Sequence, residues 1–364
     1  MSNTFGKAIR VTLFGESHGS CIGACIDGLP PGLKIDADYI AEELAKRSAR
    51  GSISTARREA DIPEIVSGAA SGFTQGTPLT VLIRNTDTDR SAYASAGRIA
   101  RPSHADFTAQ AKYLGFQDAS GGGHFSGRLT APLVAVCAIV RRALEDKGIL
   151  IGTHIASMHD ICDRAFQEDL ESDIKKLNSA SFPALSSEAA DAMKAAVESA
   201  RAEGDSLGGV LETAVTGLEA GIGEPWFDSL ESELAHAMFS VPAVKGIEFG
   251  AGFGFARMKG SRANDPFAVK DGRIVTLTNN NGGINGGISN GMPVLFRTVV
   301  KPTPSIGKEQ QTVDFIKIEE TKISITGRHD PAIVHRAREV VDSLTALVIA
   351  DLCARRWGYM WLKE

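Results

Sequence analysis

The sequence predicts an α+β protein rather than a regularly alternating α/β one. Residues 128–147 (RLTAPLVAVCAIVRRALEDK) are apolar on nearly every helical face until the charges at their end, and residues 331–352 (PAIVHRAREVVDSLTALVIADL) become equally apolar in their second half, which marks two interior helices. Strand candidates at 62–68, 79–84, 208–216, 293–300 and 322–326 fall in an order that gives no βαβ repeat. The polar stretch 158–206 is a soft boundary without a Pro/Gly/Ser linker, so residues 1–364 are expected to form one domain.

Near the start, RVTLFGESHGSCIGACIDGLPPG (residues 10–32) contains GESHG, which fits the G-x-S-x-G nucleophile elbow of a hydrolase. Ile9, Val11 and Leu13 alternate with polar residues as a strand should. An elbow then needs a helix, but SCIGACIDGLPPG reads as a second strand ending in a turn, so GESHG is expected to be a bend between strands. Neighbouring side chains on a strand point opposite ways, so Ser17 and His18 are not expected to pair as nucleophile and base. Amphipathic helices follow at 37–47, 104–114, 187–203 and 226–238. The last long helix begins at an Asp-Pro step, with Asp330 expected to cap it and Pro331 in its first turn.

Composition narrows the function classes. Among 364 residues, 43% are hydrophobic and 23% charged, and a formal net charge of −5 offers no global positive field for a nucleic-acid backbone. No run reaches the roughly 18 apolar residues of a membrane span, and MSNTFGKAIRVT lacks the apolar core of a signal peptide, so a cytoplasmic location is expected. Cys21, Cys25, Cys137, Cys162 and Cys353 are scattered without a CxxC spacing and read as small apolar residues rather than disulfides or metal ligands.

Local cation clusters stand out against that acidic background. KRSARGSISTARR (46–58) carries Lys46, Arg47, Arg50, Arg57 and Arg58, partners for carboxylate or phosphate or else a solvated helix end. Lys301, Thr303 and Ser305 in VVKPTPSIG could hold a phosphate by charge and hydroxyls. NNNGGINGGISNG (279–291) sets five glycines among asparagines, as a loop that approaches a ligand closely or as a plain surface loop. The titratable candidates are His104 in RPSHAD, His124 in ASGGGHFSGR, and Arg328, His329 and Asp330 in TGRHDP.

Taken in order, GESHG near 15, the Arg-rich ISTxRRE box near 53, RPxHAD near 101, GGG…SxR near 121, VKGIEFGAGF near 244, GGIxGGIS near 282, KPTxSI near 301 and GRHDP near 327 resemble the chorismate synthase family along almost the whole chain. The resemblance implies a β-α-β sandwich with apolar helices between antiparallel sheets, and a homotetramer. It implies 1,4-anti elimination of phosphate from 5-enolpyruvylshikimate 3-phosphate to give chorismate in the shikimate pathway. The cofactor implied is reduced FMN, used without net redox and kept reduced by an external reductant, with NADPH involved only indirectly.

By the same resemblance His18, His104 and Asp330 are catalytic: His18 supplies a proton near the flavin, His104 stands by the departing phosphate, and Asp330 takes part in removing the C6 proton. His124, Ser126, Ala243, Gly286, Lys301, Thr303, Ser305 and Arg328 would hold the flavin. Ser17, Lys46, Arg47, Arg50, Arg57 and Arg128 would hold the trianionic substrate. The chain departs from the family pattern at Ser52, where an arginine is usual, at Lys46, at His124 and Phe125 in place of Arg and Ser, and at Leu129 in place of Glu. Arg50, two residues from Ser52 on an extended segment, is expected to supply the missing charge. The rivals are a flavin-binding homologue without turnover, excluded by product formation with reduced FMN, and a serine hydrolase, tested by acylation with a phosphonate.

Overall fold

The computed structural model describes residues 3–48, 53–54, 60–86, 98–325 and 330–364. Its helices are α1 Ala37–Arg47, α2 Asp106–Tyr113, α3 Thr130–Asp146, α4 Leu170–Ser179, α5 Ser187–Ala202, α6 Leu230–Ser240, the single turn α7 Gly260–Ala263, and α8 Val334–Trp357.

Two antiparallel five-stranded sheets enclose the long helices. The first runs Thr4–Phe5, Arg10–Gly15, Cys21–Asp27, Leu79–Arg84, Pro63–Ser67 in spatial order. The second runs Val244–Phe249, Val294–Val300, Gly209–Thr216, Leu150–Met158, Ile161–Cys162. Helix α3 lies on the first sheet and packs against α1 and α8, and α8 lies on the second sheet. This is the α+β class the sequence predicts and the sandwich the resemblance implies, and its cause is visible in α3: Leu133, Val134, Val136, Ile139, Val140 and Leu144 are all buried. Each such aliphatic side chain contributes about 1.5–3 kcal/mol when fully removed from water.

The interior is less apolar than the sequence suggests. Among the charges near the end of α3 Arg141 is buried, as are Arg338, Glu339 and Asp342 on α8 and Glu43 on α1. Arg141 lies 2.7 Å from Glu43, 3.3 Å from Glu339 and 3.6 Å from Asp342, and donates to the Ile151 carbonyl at 3.0 Å. Arg338 bonds Asp342 at 3.0 Å, and Lys46 pairs with Glu43 from outside. Burial pushes Glu43 up, but Arg141 outweighs it and holds the carboxyl at about 2. Glu339 goes the other way, raised well above the carboxylate range by burial and by Glu43.

Other corrections are local. Asp330 does not cap the last helix, which starts three residues beyond Pro331 at Val334 with Ile333 as an N-cap lacking any side-chain bond. The stretch 158–206 holds α4 as well as the expected helix α5, and the 226–238 helix is a 3-10 turn, Trp226–Asp228, followed by α6. The 322–326 strand lies earlier, at Glu319–Ile323.

Across the sandwich, one carboxylate ties the ends of the chain together. Asp351 of α8 accepts the amides of Lys7, Ala8 and Ile9 at 3.0, 2.6 and 2.8 Å. Among the described residues no helix is long and apolar enough to cross a membrane.

Candidate active site

GESHG is the turn joining Arg10–Gly15 to Cys21–Asp27, which pair with Gly15 opposite Ile22. Gly15 is required there: it sits at φ +98°, and a Cβ would stand 2.4 Å from the Cys21 carbonyl oxygen. Asn85 on the neighbouring strand end donates to the Glu16 and Gly19 carbonyls at 3.0 and 2.9 Å, stapling the turn. Ser17 and His18 are buried, and Ser17 Oγ lies 3.0 Å from His18 Nδ1. This corrects the expectation that they point apart, because strand alternation does not apply within a turn. No helix follows the serine, so the elbow geometry is absent.

A glycine holds the imidazole. Gly121 sits at φ +67° with its missing Cβ position 2.4 Å from His18 Cε1 and 2.6 Å from Nδ1. Arg101 donates to the Gly121 carbonyl at 2.8 Å and is itself clamped by Asp106 at 2.8 and 2.7 Å.

Beside this turn, Asp61 bridges Arg47 and Arg128. Burial pushes the Asp61 carboxyl up, but the two guanidiniums outweigh it and hold it below the usual range. One carboxylate thus faces two buried arginines, leaving a net positive charge, and Arg47 Nε is buried with no hydrogen-bond partner among the described residues. That is a site for anions.

A third group comes from the second sheet. His104 Nε2 lies 2.7 Å from Ser305 Oγ, and burial, followed by the charge of Arg101, pulls the imidazole down to about 4. The Lys301 amide donates to the carbonyl of Ala243, a residue at φ +75°, at 2.9 Å, and Lys301 Nζ bonds the Ser103 carbonyl at 2.8 Å. Burial and then Lys245 lower the Lys301 ammonium. Thr303 Oγ1 is buried without a partner among the described residues.

These groups line one cavity of about 1540 Å³ between the sheets. It brings together Ser17, His18, Arg47, His104, His124, Ser126, Arg128, Ala243, Lys301, Thr303 and Asp330. Ser305 is reached through His104, whereas Lys46 turns to Glu43 outside the lining and Gly286 sits in the Ile284–Asn285/Ile288–Ser289 hairpin away from it. His124 Nδ1 is 2.9 Å from the Gly15 carbonyl oxygen, and Ser126 accepts the Arg128 amide at 3.2 Å. Arg50, Ser52, Arg57, Arg58, Arg328 and His329 lie outside the described residues. Asp61, Arg101 and Arg336 also line the cavity and were missed; the only sequence signal for Arg101 was its place in RPSHAD.

A family model described as chorismate synthase matches residues 9–354. The chain belongs to the chorismate synthase family. Two relatives named chorismate synthase, from Thermococcus gammatolerans and Dehalococcoides mccartyi, are 44% and 47% identical to it over 352 and 357 residues, covering 96% and 98% of this chain and 97% of each relative. A solved structure titled "Crystal Structure of Chorismate Synthase" superposes with a TM-score of 0.76 at 28% identity, over 97% of this chain and 94% of that one. The chorismate synthase family is one of lyases of the shikimate pathway, so the cavity is the candidate active site of an enzyme.

Proposed function

We propose that this chain eliminates phosphate from 5-enolpyruvylshikimate 3-phosphate to form chorismate, with reduced FMN as cofactor. The observation that carries the reading is the convergence of His18, His104 and Asp330 on one cavity with the Arg47–Asp61–Arg128 bridge. The substrate carries two carboxylates and a phosphate, and the surplus charge of that bridge suits them. His104, neutral when no anion is near, offers an N–H to the departing phosphate, and the anion's approach favours its protonated form. Asp330 accepts the C6 proton and His18 supplies one on the flavin side.

The residues present fit FMN. The unpartnered Thr303 hydroxyl and Lys301 suit a phosphate, and the cavity admits substrate and cofactor together. When bound, reduced FMN lends an electron transiently and recovers it, so no net oxidation results. With this reading go a homotetramer, a cytoplasmic location and an external flavin reductant drawing on NADPH.

The test is spectroscopic. Protein, reduced FMN and substrate mixed without oxygen are expected to form chorismate; activity should vanish in air and return with dithionite. Full turnover without flavin would exclude the reading.

The contact between Ser17 and His18 keeps the hydrolase question open to experiment. Ser17→Ala is expected to retain turnover at saturating substrate, because its hydroxyl binds and orients. His18→Ala should lose about 10²-fold or more in kcat, the scale of general acid–base catalysis. The reverse ranking, or acylation of Ser17 by a phosphonate, would favour the hydrolase.

A further inference from the structure

We propose that Arg336 is a positioning residue that holds the Asp330 carboxylate and the Arg47 backbone in one rigid frame across the active cavity; this rests on the function proposed above. Arg336 lies in the first turn of α8 and is four-fifths buried. Its Nη1 donates to Asp330 Oδ2 at 2.8 Å, and its Nε donates to the Arg47 carbonyl at 2.9 Å. One guanidinium therefore touches both the carboxylate read as the proton acceptor and the end of α1, where the anion-facing Arg47 side chain begins.

The local sequence makes the arrangement necessary. An aspartate before Pro-x-x at a helix start normally spends its carboxylate on the first amides of the helix. Here α8 starts at Val334 with no side-chain cap, and the Asp330 carboxylate meets the Arg336 side chain of the helix, six residues further on. The adjoining His335 makes a parallel tie, its Nε2 lying 2.9 Å from Ser54 Oγ in the segment beyond Arg47. The first turn of α8 thus fixes the segments that carry the base and the anion site to the same rigid helix.

A planar fork can make both contacts at once, and an ammonium cannot. Arg336→Ala is accordingly expected to lower kcat by about 10²-fold, the scale of a misplacement near 1 Å, and to raise KM several-fold through Arg47. Arg336→Lys, which can still reach Asp330 but not the Arg47 carbonyl as well, should recover most of kcat and leave KM raised.

The readout that a merely structural role would not move is the isotope effect with substrate deuterated at C6. If Asp330 is misaligned, proton removal becomes slower relative to the other steps, and the effect on kcat in Arg336→Ala should exceed that of the unsubstituted enzyme. Loss of folded protein would lower the rate and leave the isotope effect unchanged. Should Arg336→Ala not fold, Arg336→Lys alone decides through its separation of KM from kcat. Unchanged kcat and isotope effect, or a change in KM only in Arg336→Ala, would overturn the proposal. Absence of chorismate from the unsubstituted enzyme would instead overturn the function on which it rests.

Discussion

Replacing Arg141 by methionine is expected to lower the unfolding free energy at pH 7 by about 3–5 kcal/mol, the cost of stranding buried charge. Methionine keeps the volume of the arginine stem but leaves Glu43 and Asp342 without their shared cation, while Glu339, whose carboxyl is raised well above the usual range, loses a hydrogen-bond donor. Lys46 still meets Glu43 and Arg338 still meets Asp342, so the loss falls on the side chains between the helices. Adding Glu43→Gln should recover most of it, because the double variant strands no charge at that position. Chemical denaturation reads both, and a single-variant cost below about 1 kcal/mol would show that the network contributes little.

The acid dependence has a definite sign. Glu43 is depressed in the folded state to about 2, so its contribution is complete above the unfolded value of 4.5 and is lost as pH falls from 4.5 through about 2. The difference between the unsubstituted protein and Arg141→Met should shrink in that window. Glu339 acts oppositely: its folded value is raised, so its contribution is present below 4.5 and is lost as pH rises.

Gly121→Ala is expected to cost about 10²-fold or more in kcat while leaving the fold standing. The new methyl would stand 2.4 Å from His18 Cε1 and 3.3 Å from Ser17 Oγ, so the imidazole must move. Displacements of about 1 Å at a catalytic group cost on this scale. Because Gly121 also sits at φ +67°, a stability loss of about 1 kcal/mol should accompany the change. Gly272→Ala is the backbone control: it sits at φ +73° with nothing within 4 Å of its Cβ position, and wild-type kcat is expected. Wild-type kcat in Gly121→Ala would mean that His18 is not where the chemistry needs it.

What could be read from the sequence was whatever a periodicity or a turn residue dictates. The buried helices α3 and α8 and the bend at GESHG followed from apolar faces and glycines. The strand Leu150–Met158 did not, because both its faces are covered: Gly152 abuts Ile174 of α4, while Thr153 bonds Asp342 of α8 at 2.6 Å, so no polar side alternates. The burial of Arg141 was not legible because its partners come from α1 and α8, far away in sequence. The same applies to the site. His18, His104 and Asp330 came from ordered motifs, whereas Asp61 and Arg336 have meaning only through contacts that the fold creates. Lys46 stands outside the cavity lining because the last turn of α1 sends successive cations to opposite sides, Arg47 inward and Lys46 to Glu43.

Asp351 gathers the amides of residues 7–9 across a sequence separation of up to 344 positions, and the cavity likewise needs both the turn at Ser17 and the helix beyond Asp330. While the ribosome is still adding α8, the first sheet therefore lacks the helix that anchors its edge, and the GESHG turn faces solvent. Contacts so distant are slow to close, and an incomplete chain exposes apolar strands meanwhile. The catalytic chamber is among the last parts of the molecule to close, so a chain cut short just before α8 carries most of the residues of the enzyme and lacks the helix that completes its cavity.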